Sequence, residues 1–236
     1  MAAHALRVHQ TLADLPTGIT GIVFANELLD AMPVHVVVMT ASGLAEVYVD
    51  ERDGRFVERL GPLSVDALSQ YFTNLGLVLE PGARADVNLA AMNWIRQASA
   101  CLTRGYLVLI DYGHDAPVLF SSAHATGTLR SFHRHMADAV AADEPGTPPW
   151  LVAPGSRDLT THVDFTSVRA EAERSGLVTL VDTDQSRFLL AAAEQSGLLT
   201  ELAAPDRLRD RLALKTLLVP GGMGTSHRVV VFGQAL

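Results

Sequence analysis

Three features of this sequence predict an α/β fold. Gly21 to Ala25 and Tyr106 to Ile110 are apolar runs of strand length, and each stops abruptly at polar residues, Asn26-Glu27 in the first case and Asp111 in the second. The second run follows a helix-period segment through a short turn, the order of a parallel α/β unit, in which strands buried on both faces read as continuous apolar stretches. At 236 residues, 48% hydrophobic and 19% charged, the chain can bury a sizeable core and is read as a single domain, residues 1–236.

The elements follow in order. Ala5 to Leu15 is too short to classify on periodicity. After the central strand Gly21 to Ala25, the stretches Val34 to Met39, Ala45 to Asp50 and Arg55 to Leu60 read as strands, with Ser42-Gly43 and Asp53-Gly54 as turns. They form a β meander inserted at about residues 34–60, either a lid or substrate wall over the strand ends or a purely structural hairpin. Ser64 to Leu79 places Leu68, Tyr71, Phe72 and Leu75 on one helical face and is stopped by Pro81-Gly82. Val87 to Leu102 reads as a second helix, with Leu89, Met92, Trp94 and Ile95 apolar. Residues 116–164 are loop-rich, and loops of that length are usually functional or disordered. Asp164 is placed as the N-cap of a helix from Phe165 to Ser175 that Gly176 ends. Leu177 to Val181 is a strand, helices start near Asp184 and Asp206, and His227 to Phe232 is the last strand.

In open α/β sheets ligands bind beyond the carboxyl ends of the strands, so Asn26, Glu27, Asp30 and Asp111 share one functional edge if the two runs are neighbours. The competing reading makes Asn26 and Glu27 the cap and first turn of a helix. Cys101, the single cysteine, excludes an internal disulfide and reads as a buried small hydrophobe. His133-Arg134-His135 has the wrong spacing and no companion ligands, so no metal site is predicted. The glycines of Pro220-Gly221-Gly222-Met223-Gly224 are followed by no Lys-Ser/Thr, and no helix is expected to open there, which argues against a phosphate loop. A Gly-x-Ser-x-Gly hydrolase elbow is absent.

Three motifs in a fixed order carry a resemblance. Asn26-Glu27-x-x-Asp30-Ala31-x-Pro33-Val34, Ile110-Asp111-Tyr112-Gly113 and Pro154-Gly155-x-x-Asp158-Leu159-Thr160-x-His162-Val163-Asp164-Phe165 resemble the signatures of the MidA-like family of S-adenosylmethionine-dependent methyltransferases, which includes protein arginine methyltransferases of mitochondrial complex I assembly. Leu217-Leu218-x-Pro220-x-x-Met223-Gly224 is similar to the family's C-terminal end, so the likeness runs from about Leu12 to Phe232. The resemblance implies a Rossmann-like class I methyltransferase sheet, S-adenosylmethionine as cofactor and a protein arginine as acceptor. Their positions then suggest the roles of the motif residues: Glu27 and Asp30 as catalytic carboxylates that orient the guanidinium, His162 as a further catalytic candidate, and Asn26, Asp111, Tyr112 and Asp158 shaping the substrate wall. The resemblance makes Arg7-Val8-His9 a short strand, and puts His9 and Asn26 on the cofactor side.

The departures from the family pattern matter too. The sequence contains no Gly-x-Gly-x-x-Gly turn and no strand ending in a ribose-binding acid ahead of Gly21. The expectation is therefore a member lacking its N-terminal part, weak or absent cofactor binding by this chain alone, and an exposed edge at Gly21 to Ala25 open to a partner or a second copy. The alternative function is a non-catalytic binding or assembly module derived from the same fold.

A net charge of −8 argues against non-specific nucleic-acid binding and suits either solubility or a basic, arginine-bearing partner. With a mean hydropathy of +0.21 and no run near the roughly 20 apolar residues that span a bilayer, no membrane segment is expected. Met1 to Arg7 shows neither a signal nor a transit pattern, which leads to the expectation of a cytoplasmic protein.

Overall fold

The computed structural model describes residues 17–133, 136–137, 147–202, 204–219 and 223–235. In chain order the strands and helices are β1 (Ile19–Asn26), β2 (His35–Thr40), β3 (Gly43–Arg52), β4 (Arg55–Gly61), α1 (Ala67–Leu75), β5 (Arg84–Val87), α2 (Leu89–Cys101) and β6 (Leu102–His114). There follow α3 (Ala116–Leu119), β7 (Arg130–His133), β8 (Met136–Ala137), β9 (Asp158–Thr160), β10 (Val163–Asp164) and α4 (Phe165–Arg174). The chain closes with β11 (Val178–Asp184), α5 (Gln185–Gln195), α6 (Leu198–Leu202), α7 (Leu208–Leu218), α8 (Met223–Ser226) and β12 (His227–Gln234).

The principal sheet has the order β1-β6-β12-β11, with β10 added to the end of β6. β1 and β6 are parallel, Ile22 opposite Tyr106 and Ala25 opposite Leu109, as the two apolar runs predicted. β12 is antiparallel to β6 and lies inside the sheet, so β11 and β1 are the outer strands among the described residues. The parallel pair is held close by glycine: a Cβ on Gly105 would stand 1.9 Å from the carbonyl oxygen of Gly21. One face of this sheet, with Leu107, Leu109, Val230 and Phe232, packs on Ile95 and Ala98 of α2 and on Phe165, Val168 and Ala172 of α4. Each large side chain buried there contributes roughly 1.5–3 kcal/mol. The other face leaves Ile22 and Phe24 of β1 66% and 60% exposed.

The meander is a four-stranded antiparallel sheet of order β4-β3-β2-β5. Its own core joins Val37, Ala85 and Val87 to Leu68, Tyr71 and Phe72 of α1. The sequence reading missed β5 and began the following helix at Val87. The structure starts α2 at Leu89, where the Asn88 side chain accepts the Ala91 N–H at 2.7 Å. It also ends α1 earlier than expected, at a left-handed Gly76, φ 64°, rather than at Pro81-Gly82. A short helix does open at Met223, contrary to expectation, while Pro220 to Gly222 lie outside the described residues. Residues 1–16, and with them His9 and the expected strand Arg7-Val8-His9, also lie outside, as do Arg134 and His135. Among the described residues no helix is long and apolar enough to cross a membrane.

Candidate functional site

Because β1 and β6 run in register, Asn26 opposite Ile110, the pairs Asn26-Glu27 and Asp111-Tyr112 leave the sheet side by side. Glu27 turns the chain with φ 46°, its N–H donating to the carbonyl of Ile110 at 2.8 Å. A left-handed non-glycine residue is uncommon and costs about 1–3 kcal/mol. It ends the strand in an irregular turn, so Asn26 and Glu27 cap no helix and that competing reading is set aside. The Asn26 amide donates to Glu27 Oε1 at 3.3 Å. The exposed Glu27 carboxylate stands 3.5 Å from Nε2 of His227 at the start of β12.

Asp111 is buried and fastens the turn to the sheet. Its Oδ2 accepts the N–H of Leu29 at 2.9 Å and that of Asp30 at 3.4 Å, and its Oδ1 accepts the N–H of Tyr112 at 2.9 Å. Burial, and then the neighbouring charge of Asp30, push its carboxyl up to about 7 against those hydrogen bonds. Asp111 is not among the residues lining the adjoining cavity; through these bonds it holds the turn that carries Leu29 and Asp30.

Asp30, 5% exposed, takes the phenolic hydroxyl of Tyr112 on Oδ2 at 2.6 Å, while its Oδ1 is buried with no hydrogen-bond partner. Burial, and next the carboxylate it donates to, raise the Tyr112 phenol well above its usual range. The Asp30 carbonyl accepts the Thr161 N–H at 3.0 Å, and the Leu29 carbonyl accepts from the Asn88 amide at 2.8 Å, so three parts of the chain hold the turn.

A cavity of about 460 Å³ lies against Asp30, between the turn, the meander and the segment Leu159 to Thr161. Met32, Val36, Val47, Val49, Trp150 and Leu151 give it apolar walls, and Glu46, Glu58 and Arg84 supply charge. The meander contributes Val36, Glu46, Val47, Val49 and Glu58 to the lining of this cavity. Glu58 is occupied: Arg84 donates to both its oxygens at 2.7 Å and Trp150 Nε1 donates to Oε1 at 2.9 Å. Glu46 is occupied as well, by His35 at 2.7 Å and the Ser64 N–H at 2.6 Å. Asp30 Oδ1 is thus the unclaimed carboxylate oxygen of this wall. Sequence reasoning missed Glu46, Glu58, Arg84 and Trp150, which only the antiparallel register and a distant loop bring together.

The third motif divides. Asp164 is the N-cap of α4, accepting the N–H groups of Thr166 and Ser167 at 2.9 and 3.2 Å, as expected, and it also takes the Tyr71 hydroxyl at 2.6 Å. His162 is half-buried, with its N–H on Thr128 Oγ1 at 3.0 Å and its ring edge-on to Tyr112 at 5.7 Å. Burial, then His114 and His124, push it down to about 4, so it is neutral at pH 7. It is not a cavity-lining residue. Asp158, expected in an extended loop on the substrate wall, is instead in β9, opposite Phe132, with its side chain exposed and outside the cavity.

Comparison with known proteins agrees with this architecture. The rat protein arginine methyltransferase NDUFAF7, mitochondrial, is 28% identical over 77% of this chain and 37% of its own length. The Drosophila melanogaster homologue is 28% identical over 93% of this chain and 48% of its own, and the human protein is 30% identical over 70% and 33%. The chain thus spans less than half the length of these relatives, whose names place them in mitochondria and lend no support to the cytoplasmic expectation. A COG1565 superfamily member from Burkholderia thailandensis, crystallised with S-adenosyl-homocysteine, superposes with a TM-score of 0.80 at 30% identity, over 93% of this chain and 55% of that one. A native structure of an uncharacterised protein of the same superfamily and organism also gives 0.80, at 31% identity. Residues 2–183 match the family described as "Putative S-adenosyl-L-methionine-dependent methyltransferase", and with that match, the shared fold and the three ordered motifs, the chain belongs to this methyltransferase family.

Proposed function

We propose that this site serves methyl transfer from S-adenosylmethionine to a protein arginine, with the guanidinium received beside Asp30. The observation that supports the reading is the buried, unpartnered Oδ1 of Asp30 on an apolar cavity. An unpaired buried acceptor is costly, and a planar cation on an aliphatic stem relieves it: the N–H fork meets the carboxylate, whose torsion is soft, while the stem lies along Met32, Val36 and Trp150. A lysine ammonium, a point charge, matches this less well. Asp30, held by the Tyr112 hydroxyl, would orient the acceptor nitrogen and would take the proton that nitrogen releases. The names of the relatives favour transfer to arginine over a non-catalytic binding module.

The donor side is less complete. The carboxyl end of β1 offers the Asn26 amide and the Glu27 carboxylate, but the described residues form no glycine cradle there, and the whole sequence holds no Gly-x-Gly-x-x-Gly. These residues do not by themselves fit the nucleotide, so no step is assigned to its contacts, and the reading includes weak cofactor binding by this chain alone.

Calorimetric titration with peptides that differ only in one arginine, lysine or citrulline tests the acceptor. Arginine-selective binding, weakened roughly 10- to 100-fold in Asp30→Asn, is expected. Equal binding of the three peptides overturns it. Micromolar binding of S-adenosylmethionine to the same chain contradicts the weak-cofactor reading.

A further inference from the structure

Three histidines far apart in sequence meet behind Tyr112. His114 ends β6, His124 closes the 3₁₀ turn Ser122–His124, and His162 precedes β10. They converge because β10 pairs with the end of β6, Val163 opposite Gly113, while the chain after β6 folds back through α3. The ring centroids lie 5.1 Å (His114 to His124), 5.3 Å (His114 to His162) and 5.8 Å (His124 to His162) apart. Each ring offers one nitrogen, and these nitrogens are all within 4.8 Å of one another. We propose that His114, His124 and His162 bind one divalent transition-metal ion of the zinc class, with its fourth position open to water.

Two orientations support this. His124 Nδ1 lies 3.0 Å from the carbonyl of Val118, an acceptor, so Nδ1 carries the proton and Nε2 keeps the lone pair. A carbonyl partner on the far nitrogen is the usual way a ligating histidine is aimed. His162 Nδ1 is buried with no hydrogen-bond partner, so no protein group competes for that nitrogen. All three rings are half-buried, which leaves an entry path.

The donor set selects the metal. Three imidazoles with no oxygen ligand suit zinc, cobalt or nickel rather than magnesium or calcium. Asp115, the nearby carboxylate, is already claimed by Arg169 at 2.7 Å and Arg228 at 3.0 Å. Arg228 in turn is paired with Asp115 and Asp182, which offsets its repulsion of a cation. Tetrahedral ligation at about 2.0–2.1 Å brings nitrogens to roughly 3.3 Å apart, so ring movements of about 1 Å close the site. The ion then pins β6, the turn and the Thr161 to Asp164 segment together. This is independent of the acceptor reading, since none of the three histidines lines the cavity.

The test is metal binding by the chelator-stripped chain, read by zinc calorimetry and by the visible absorption of added cobalt. Saturable one-to-one binding with the intense bands of tetrahedral cobalt is expected. It should weaken at least tenfold in His114→Ala and in His124→Ala, and persist in His35→Ala and in the double variant His133→Ala/His135→Ala. His124 sits on a surface turn, so His124→Ala keeps the test decisive if His114→Ala fails to fold. No saturable binding by the folded wild-type chain, undiminished binding in folded His124→Ala, or its loss in the control variants overturns the proposal.

Discussion

The hydroxyl of Tyr112 donates to Oδ2 of Asp30 at 2.6 Å, and this bond is the one polar contact of the Asp30 carboxylate among the described side chains. Tyr112→Phe removes the oxygen alone and leaves a carboxylate that is 5% exposed with neither oxygen partnered. A loss of about 1–3 kcal/mol is expected, a fall of several degrees in Tm for a chain of this size. Adding Asp30→Asn should recover part of it, because the unpaired charge is gone. Thermal unfolding of the four proteins of this cycle measures the coupling, and strictly additive losses would show that the two groups do not interact.

Asp111 and His162 set opposite pH dependences. The Asp111 carboxyl is raised in the folded state, to about 7 from an ordinary value near 4, so the stability tied to its proton is full below about 4 and is lost as pH climbs through about 7. In the chelator-stripped chain His162 is depressed from about 6.5 to about 4, so its contribution is present above about 6.5 and lost as pH falls toward 4. Melting curves from pH 4 to 8 should show both flanks, with Asp111→Asn flattening the alkaline one. Asp30→Asn should move that flank to lower pH, since the charge repelling Asp111 is removed. An unchanged alkaline flank in Asp111→Asn would assign it to another group.

Much of this edge was legible in the sequence because it depends on chain-local signals. Two apolar runs that end in Asn26-Glu27 and Asp111-Tyr112 need only parallel pairing to bring those residues together, and Asp164 is recognisable as a cap from the helix behind it. The left-handed turn at Glu27 is not legible, since a carboxylate after a strand reads equally well as a first helical turn. Glu58, Arg84 and Trp150 come from two strands and a loop that become neighbours only through register across the meander. The histidine cluster is hidden for the same reason: β10 is two residues long and periodicity cannot detect it. The exposed facing of Asp158 in β9 is likewise hidden, because motif membership does not say which way a side chain faces.

Gly113 explains why β10 can join β6 at all. A Cβ there would lie 2.0 Å from the carbonyl oxygen of Val163, against backbone that cannot yield as a flexible side chain would. Gly113→Ala should separate the two strands, cost about 1–3 kcal/mol or more, and release His162 and the Asp164 cap from their positions. Amide exchange at Thr166 and Ser167, whose N–H groups Asp164 accepts, should speed up in step with the fall in Tm. Protection at those amides equal to wild type would mean that the pairing tolerates the methyl group.

Glu27 allows function and stability to be separated, because its backbone is strained and its carboxylate is exposed. Glu27→Gln keeps the side-chain shape and the left-handed turn while removing the charge. If the carboxylate serves a cationic acceptor at this edge, arginine-peptide binding should weaken roughly 3- to 10-fold with Tm nearly unchanged. Glu27→Gly removes the charge and also relieves the φ of 46°, so it should weaken binding to the same extent while holding or raising Tm, the relief offsetting the greater freedom of glycine in the unfolded chain. A structural carboxylate, acting through Asn26 or His227, gives another pattern: Tm falls in both variants and peptide affinity per folded molecule is unchanged. Unfolding and titration on the same preparations distinguish the two, and wild-type affinity in folded Glu27→Gln removes Glu27 from the acceptor site.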